Sequence, residues 1–507
     1  MNRYAIIDLG SNSVRMNIVH IEEDGYYYLL DQAKEMVRLS EGLEESGRLQ
    51  EAPIQRTINT LKLFAKLIDA YGVTQVYALA TAAVRSASNR QDFLDRSKGE
   101  TGFDFTVLTG QEEAYYDYLG VVNTIDIEEG ILIDIGGGST ELVHVENRKV
   151  VNAISMPFGS VILSEQFPQD VKGNTKKAKA FVNDQLDQVD WLEGLRDLPI
   201  IGLGGVVRTI AKVNRNLMGF PIMTLHNYRL NEEELKGFFA HIADSTIPQL
   251  RKTPGINAKR ADIIKRGILP LELLVDRIGA KQVVISGNGL RDGWFYEKFL
   301  DSVGAPPIIQ DVLDHSIENL AKRYTFNKHH ALHVRKLSLA LFDLLGPLHD
   351  FSGDERKLVY VASYLHDIGM HVEYFNHHMH GFYLTLHSRI NGLTNTELVS
   401  AAMLVGMHRF DKLRIDPTDY ELVVDKKAVK RLKDLSLFIA LSEKLDRSES
   451  GVIEDVQVEF HGDAVVVGLY ASAEPALEIS AAMEYADKFG SIFGKKLIIR
   501  YEGQKRL

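Results

Sequence analysis

Apolar and polar positions change their period twice along the chain. Near the N-terminus, apolar runs at 4–10 (YAIIDLG), 14–21 (VRMNIVHI) and 26–32 (YYYLLDQ) have the length of strands. Apolar spacing near 3.6 residues predicts a helix over 54–71, followed by a strand over 73–85 and another over 105–108. Residues 126–300 repeat this texture. A helix is expected over 176–195, and a strand over 199–206 that turns through glycines into a helix. A helix over 259–276 is expected to bend at Pro270, and a strand over 282–286 precedes the glycine-rich turn GNGLRDG. Strands alternating with helices predict a mixed or parallel sheet with helices packed on it. Gly304-Ala305-Pro306-Pro307 marks a boundary. Beyond it the period is helical, with helices expected over 311–325, 330–346, 354–370, 395–408 and 427–446. From 451 strand-like alternation returns at 452–460, 464–470 and 496–501, with an amphipathic helix over 475–490.

Length and composition sharpen this picture. A chain of 507 residues is too long for one core and should form three or four domains. The 45% hydrophobic and 25% charged content is that of an ordinary water-exposed globular chain. There is no cysteine, which excludes disulfides, thiolate metal sites and cysteine nucleophiles. A formal net charge of −11 argues against bulk nucleic-acid binding, although local basic groups can still dominate a cleft built for a polyanion. No apolar run has the length of a membrane span, and the N-terminus enters a strand directly, so a cytoplasmic protein is expected.

The richest chemistry lies at 131–142, ILIDIGGGSTEL. An apolar strand ends at Asp134, and three glycines, Gly136, Gly137 and Gly138, follow it. Glycines let another group approach the backbone, and a row of exposed N–H groups makes an anion cradle. Ser139 and Thr140 add hydroxyls before a second strand begins. Asp134 and Glu141 flank the cradle, and two carboxylates beside a phosphate site suit Mg²⁺. The segment 4–16, YAIIDLGSNSVRM, repeats the plan: strand, Asp8, Gly10, Ser11, Asn12, Ser13, strand. Two such hairpins a domain apart predict a duplicated fold holding a phosphate between its copies. Arg15 and Arg85 are placed to fork onto phosphate oxygens. Gly110, Glu112 and Glu113 read as a helix start. Glu112 is expected to serve as a dipole partner there, while Glu113 could face the cleft as a general base; sequence alone leaves both readings open.

The segments AIIDLGSNSVRM, ATAAVR, TGQEEA, ILIDIGGGSTELV, GLGG and SGNGLRDG, in that order, resemble the exopolyphosphatase / guanosine pentaphosphate phosphohydrolase (Ppx/GppA) family over roughly the first 300 residues. The resemblance implies an α/β fold of duplicated actin-like ATPase (ribonuclease H-like) lobes at 1–125 and 126–303. An all-α HD-type domain at 308–450 and a small α+β domain at 451–507 would follow. It implies a first phosphate hairpin of Asp8, Ser11, Asn12, Ser13 and Arg15, and a second of Gly136, Gly137, Gly138, Ser139 and Thr140. Glu113 would orient and deprotonate the attacking water. Asp134 and Glu141 would hold Mg²⁺ (or Mn²⁺) or assist the base, and Arg85 would contact substrate phosphates. Where the family commonly has an arginine two places after the catalytic glutamate, this chain has Tyr115. The implied activity is phosphoric anhydride hydrolysis on inorganic polyphosphate, with pppGpp as the alternative substrate, by a homodimer.

Eleven of the 17 histidines lie between 329 and 408. The cues HALHVRKLSLAL, YLHDIGMHV, HHMHGFYL and LSEKLDRS resemble the family's HD-type domain. They make His333, His366, Asp367 and Asp446 the expected ligands of a second divalent metal, with His380 and His408 as further candidates. The leading expectation for this half is nonetheless a module mainly for substrate binding and dimerisation, with the metal as the alternative. Two other classes compete for the whole chain, an ATP-driven kinase or chaperone of the same fold and a non-catalytic alarmone sensor. Intact Asp8, Glu113, Asp134 and Glu141 argue against the sensor, and the lack of a clear adenosine-binding pattern argues against the kinase.

Overall fold

The computed structural model describes residues 2–169, 171–409 and 417–504. The chain divides into two units, Met1–Val312 and Leu313–Leu507.

The first unit holds two sheets of one design. Strands β1 (Asn2–Leu9), β2 (Ser13–Ile21), β3 (Tyr27–Met36), β4 (Gln75–Ala80) and β5 (Phe105–Val107) form a sheet in the order β3-β2-β1-β4-β5. The first three are antiparallel neighbours, and β4 and β5 add in parallel. Strands β6 (Gly130–Ile135), β7 (Thr140–Glu146), β8 (Lys149–Met156), β9 (Ile200–Leu203), β10 (Tyr228–Asn231) and β11 (Gln282–Ile285) repeat the plan with one extra edge strand, in the order β10-β11-β9-β6-β7-β8. This is the ribonuclease H-like order, and its duplication is the actin-like architecture.

Apolar residues fill both sides of each sheet, which explains why the strands read as continuous apolar runs. Along β1, Ala5, Ile7 and Leu9 face one core with Ile54, Ile58, Leu61 and Phe64 of the helix Glu51–Ala70. Tyr4 and Ile6 face the other side, against Trp294, Phe295 and Phe299 of the helix Leu290–Ser302. The second sheet packs Leu132, Val143 and Ile201 against Tyr118, Leu119 and Val122 of the helix Gly110–Val122. The helix that ends the first stretch of chain therefore covers the second sheet, and the helix that ends the second stretch covers the first.

Several expected elements shift. The strand over 73–85 stops at Ala80, and the chain turns into the short helix Ala82–Ser86. The helix over 176–195 is Asn174–Asp187 followed by a 3-10 turn, Asp190–Leu192. The helix over 259–276 is broken into Ala258–Arg260, Ile264–Gly267 and Leu269–Ile278. Pro270 sits in the first turn of the last piece, where its missing N–H costs nothing.

The second unit carries the helices Val312–Arg323, Lys328–Leu344, Gly353–Leu365, His377–His387, Asn395–Met407 and Lys426–Leu445. It ends in a sheet of β12 (Ile453–His461), β13 (Ala464–Ala471) and β14 (Lys496–Gly503), with β12 antiparallel and β14 parallel to β13. Two short helices, Ala476–Met483 and Ala486–Phe493, stand where one was expected over 475–490.

Candidate active site

The duplicated sheets place equivalent positions in equivalent rows. Across the first sheet runs Leu79–Asp8–Arg15–Lys34, and across the second Leu203–Asp134–Glu141–Ser155. Past each aspartate the chain turns in the same way. Gly10 N donates to Ser13 O at 3.1 Å, and Gly136 N donates to Ser139 O at 3.0 Å. The two turns touch: a Cβ on Gly138 would lie 2.6 Å from Ser11 Oγ. Between them opens a cavity of about 110 Å³. The expected residues Asp8, Ser11, Asn12, Ser13, Arg15, Glu113, Asp134, Gly136, Gly137, Gly138 and Ser139 all line it. The N-terminus of the helix Gly204–Met218 opens onto the same space, a position suited to an anion. Gly204 is required there twice over: its φ is +84°, and a Cβ would meet Asp134 Oδ1 at 2.2 Å.

Glu113 sits in the first turn of the helix Gly110–Val122. Thr109 and Glu112 close that end with reciprocal side-chain to backbone bonds, so Glu112 is used in capping and Glu113 faces the cavity. Arg85 Nη1 donates to Glu113 Oε2 at 3.0 Å and to Leu108 O at 2.8 Å. Burial pushes Glu113 up to about 7; Arg85 pulls it down, while Asp134 and Asp8 add to the rise. One turn further on, Asp117 is buried at the cavity wall, its Oδ1 accepting from Leu290 N at 2.8 Å. Burial, then Asp134, Glu141 and Glu113, push Asp117 well above the usual carboxylate range. Burial also raises Asp134, against Arg208 and Arg15, which lower it. A hydrogen bond from Asp117 also lowers Asp134, and among the described residues no other donor reaches Asp134 Oδ1 or Asp117 Oδ2.

Three of the expected residues lie outside the cavity lining. Thr140 is not at the cavity, because its Oγ1 donates to the carbonyl of Phe158 at 2.8 Å within the buried strand pair. Arg85 does not line the cavity either. It sits on the short helix after β4, and its guanidinium is held by Glu113 and Leu108. Glu141 lies beside Asp134 in the sheet but outside the cavity lining, with its Oε1 accepting from Ser155 Oγ at 2.7 Å. Burial, Glu113 and Asp134 push Glu141 well up, against hydrogen bonds from Ser139 and Ser155.

The structure also brings in residues that local sequence reading missed. Asp117 is four residues after Glu113 on one helix, a spacing that places both on one face and could have found it. Arg208, Arg260 and Arg291 line the cavity without any such local signal. They continue, with Arg15, into an adjoining cavity of about 510 Å³ that adds Lys34, Lys212 and Lys259. Crowding there is severe. Burial and then Arg15, Arg260, Arg208 and Lys212 lower Lys34 to about 7. Burial, then Arg15, lowers both Arg208 and Arg260 to about 10, with Asp134 opposing at Arg208.

In the second unit the expected metal ligands are rearranged. His366, Asp367 and Asp446 are buried or half-buried, but His333 meets only Asp446 and not the His366–Asp367 pair. Its Nε2 bonds the Ile453 carbonyl at 2.7 Å and its Nδ1 lies 3.0 Å from Asp446 Oδ1. One turn earlier on the same helix, His330 faces Asp367 instead. His408 joins the group, and His380 lies on the helix His377–His387 without joining it.

An actin-like pair of lobes with acidic and basic walls around an amide-lined cavity defines a phosphoryl-transfer class of protein. The chain belongs to the Ppx/GppA phosphatase family, whose model matches residues 18–302; the model of Ppx/GppA phosphatase domain III matches residues 312–472. It is similar to a guanosine-5'-triphosphate,3'-diphosphate pyrophosphatase of Pseudoalteromonas atlantica, 28% identical over 419 residues that make up 80% of this chain and 79% of the relative. Among solved structures it is similar to the Ppx/GppA family member of Aquifex aeolicus, at 32% identity and a TM-score of 0.52, covering 59% of this chain and 98% of that one. It is also similar to an exopolyphosphatase of Cytophaga hutchinsonii, at 25% identity and a TM-score of 0.57, covering 61% of this chain and all 100% of that one. The chain is thus a phosphatase by family. Among the described residues no helix is long and apolar enough to cross a membrane.

Proposed function

We propose that the chain removes the terminal phosphate of inorganic polyphosphate, with Glu113 as the general base. Water attacks the terminal phosphorus in line, the bridging P–O bond breaks, and the proton of the water passes to Glu113. The leaving chain, shorter by one unit, departs on its own bridging oxygen. A base with its pKa near the working pH is the most effective one, and burial brings Glu113 there. Arg85 acts on Glu113, holding the carboxylate in place, rather than on the substrate. Backbone N–H groups of the two turns and the helix starting at Gly204 are suited to the terminal phosphate oxygens.

The donor set fits a hard divalent cation. Asp8 and Asp134 present carboxylate oxygens to the cavity, and Asp134 Oδ1 has no donor other than Asp117 among the described residues. These two would hold Mg²⁺ or Mn²⁺, with Glu141 supporting from behind instead of ligating. Such an ion supplies neutralising charge for the terminal phosphate.

One observation carries the substrate assignment. Beyond the first cavity lies the larger chamber with Arg15, Lys34, Arg208, Lys212, Lys259, Arg260 and Arg291 in its wall and, among the described residues, no aromatic ring. That lining suits a run of phosphates better than a nucleobase. The second reading, conversion of pppGpp to ppGpp, is favoured by the Pseudoalteromonas relative, which matches along most of both chains. Purified protein with Mg²⁺ is offered long-chain polyphosphate, pppGpp and ATP separately, and phosphate release is followed. The highest kcat/KM is expected on polyphosphate. Preference for pppGpp would replace the substrate, and turnover of ATP alone would replace the reaction class.

A further inference from the structure

A third glycine-rich turn, residues 287–290, also lines the cavity, but it is not an anion cradle like the two hairpin turns. Each of its N–H groups already has an acceptor. Gly287 N donates to His226 Nδ1 at 3.2 Å and Asn288 N to Ser286 Oγ at 3.1 Å. Gly289 N donates to Asp292 Oδ2 at 3.1 Å and Leu290 N to Asp117 Oδ1 at 2.8 Å. What the turn offers instead is a carbonyl. Gly287 O accepts from Arg208 Nη1 at 3.0 Å, while Arg208 Nε donates to Gly204 O at 3.0 Å. This guanidinium lines both the inner cavity and the larger chamber. Arg15 and Arg291 repel it, so the two carbonyls are what keep it inward. A planar fork already fixed at two donors loses little freedom when a phosphate takes its remaining N–H groups.

The Gly287 peptide is set in turn by a residue outside the cavity lining. His226 is buried just ahead of β10. Next to it Asn227 donates its N–H to Ile285 O at 2.9 Å, which pins His226 beside the strand end where the turn begins. A backbone N–H only donates, so His226 Nδ1 is the bare, accepting nitrogen and Nε2 carries the proton. That proton goes to Thr124 O at 3.0 Å. Thr124 is itself anchored two residues past the helix that carries Glu113, with its N on Val121 O at 2.9 Å and its Oγ1 on Gly120 O at 2.6 Å. The imidazole is a rigid strut from the end of that helix to the peptide that aims Arg208.

We propose that His226 is a positioning residue for phosphate binding: it fixes the Gly287 peptide, and the Gly287 carbonyl holds Arg208 toward the phosphate chain. The inference rests on the cleft being the phosphate site, and not on which phosphate chain is the substrate.

The test is a double-mutant cycle read by binding. The full-length chain, free of divalent metal so that nothing is hydrolysed, is titrated with inorganic tripolyphosphate in a calorimeter, and each variant is melted to confirm cooperative unfolding. His226→Leu should weaken binding about 10-fold, within the range for residues coupled through one network. His226→Gln keeps a donor for Thr124 O but brings no acceptor to the place of Nδ1, and it should weaken binding as much. His226→Asn brings an acceptor to that place and should recover most of the affinity. In an Arg208→Met background, His226→Gln should change the affinity less than about 2-fold. A purely structural histidine would instead give the same loss in both backgrounds. That result, or folded His226→Leu and His226→Gln chains that bind like the wild type, would overturn the proposal. A wild type that does not bind tripolyphosphate would overturn the cleft reading, and this inference with it.

Discussion

At matching places in the two sheets, Asp8 faces Arg15 and then Lys34, whereas Asp134 faces Glu141 and then Ser155. The scaffold, turn geometry and register are the same, yet one row is cationic and the other acidic. The difference divides the labour of a phosphatase. Cations of the first row reach into the large chamber and suit the remote phosphates. Burial, and after it Asp134 of the second row and Asp8 of the first, raises the proton affinity of Glu113, the proposed base. Duplication supplies two copies of a placement, and side-chain divergence gives each copy its own electrostatic role.

The comparison can be broken most severely at the residue both rows serve. Glu113→Gln should lower kcat about 10²–10⁴-fold with KM little changed, read by phosphate release under saturating polyphosphate. Near-normal turnover would remove the base from the scheme. Next comes a contrast between rows. Arg15→Ala should lower kcat/KM roughly 10–100-fold, mostly through KM, because charged hydrogen bonds contribute about 1.5–3 kcal/mol. Glu141→Gln should leave KM nearly untouched. If both variants fail in KM alike, the two rows have no separate roles.

A smaller effect concerns how the hairpins meet. Gly138→Ala should destabilise by about 1–3 kcal/mol, because its Cβ would press on Ser11 Oγ. Gly10→Ala should be close to neutral, since its Cβ would lie 3.4 Å from the nearest atom, Ser13 O. Equal melting temperatures for the two variants would deny that the two turns pack tightly at Gly138.

The mildest expectation is a pH shift. A base raised to about 7 must ionise to act, so kcat/KM should fall as pH drops through about 7. Stability runs the other way. Carboxyls raised in the folded state hold their protons more tightly there than when unfolded. For Glu113 that contribution is complete below the unfolded value of about 4 and is lost as pH rises through about 7. Melting temperature without divalent metal should therefore decline from pH 5 to pH 8.

Much of the cleft was legible because its signals are local. A strand ending in Asp and running into glycines and hydroxyls is contiguous, and so are the Thr109–Glu112 capping pair and the alternation of strands with helices. Where placement differs from expectation, the cause is direction. Thr140 and Arg85 stand beside the right loops, but strand alternation and a short helix turn them elsewhere. His333 was one helical turn away from the histidine that faces Asp367, a choice that spacing in the sequence leaves undecided.

The residues themselves determined that two hairpins would each end a strand in an aspartate, that glycines would line the turns, and that a histidine-rich helical stretch would follow. These follow from covalent neighbours and from short periodicities. Only the folded chain decided that Lys34, Arg208 and Arg260 share one wall, that Glu141 stands behind the cavity rather than in it, and that Asp367 sits amid four imidazoles. Those groups lie tens or hundreds of residues apart. They meet because burying apolar faces sets where sheets and helices pack, and that is a property of the whole core rather than of any stretch.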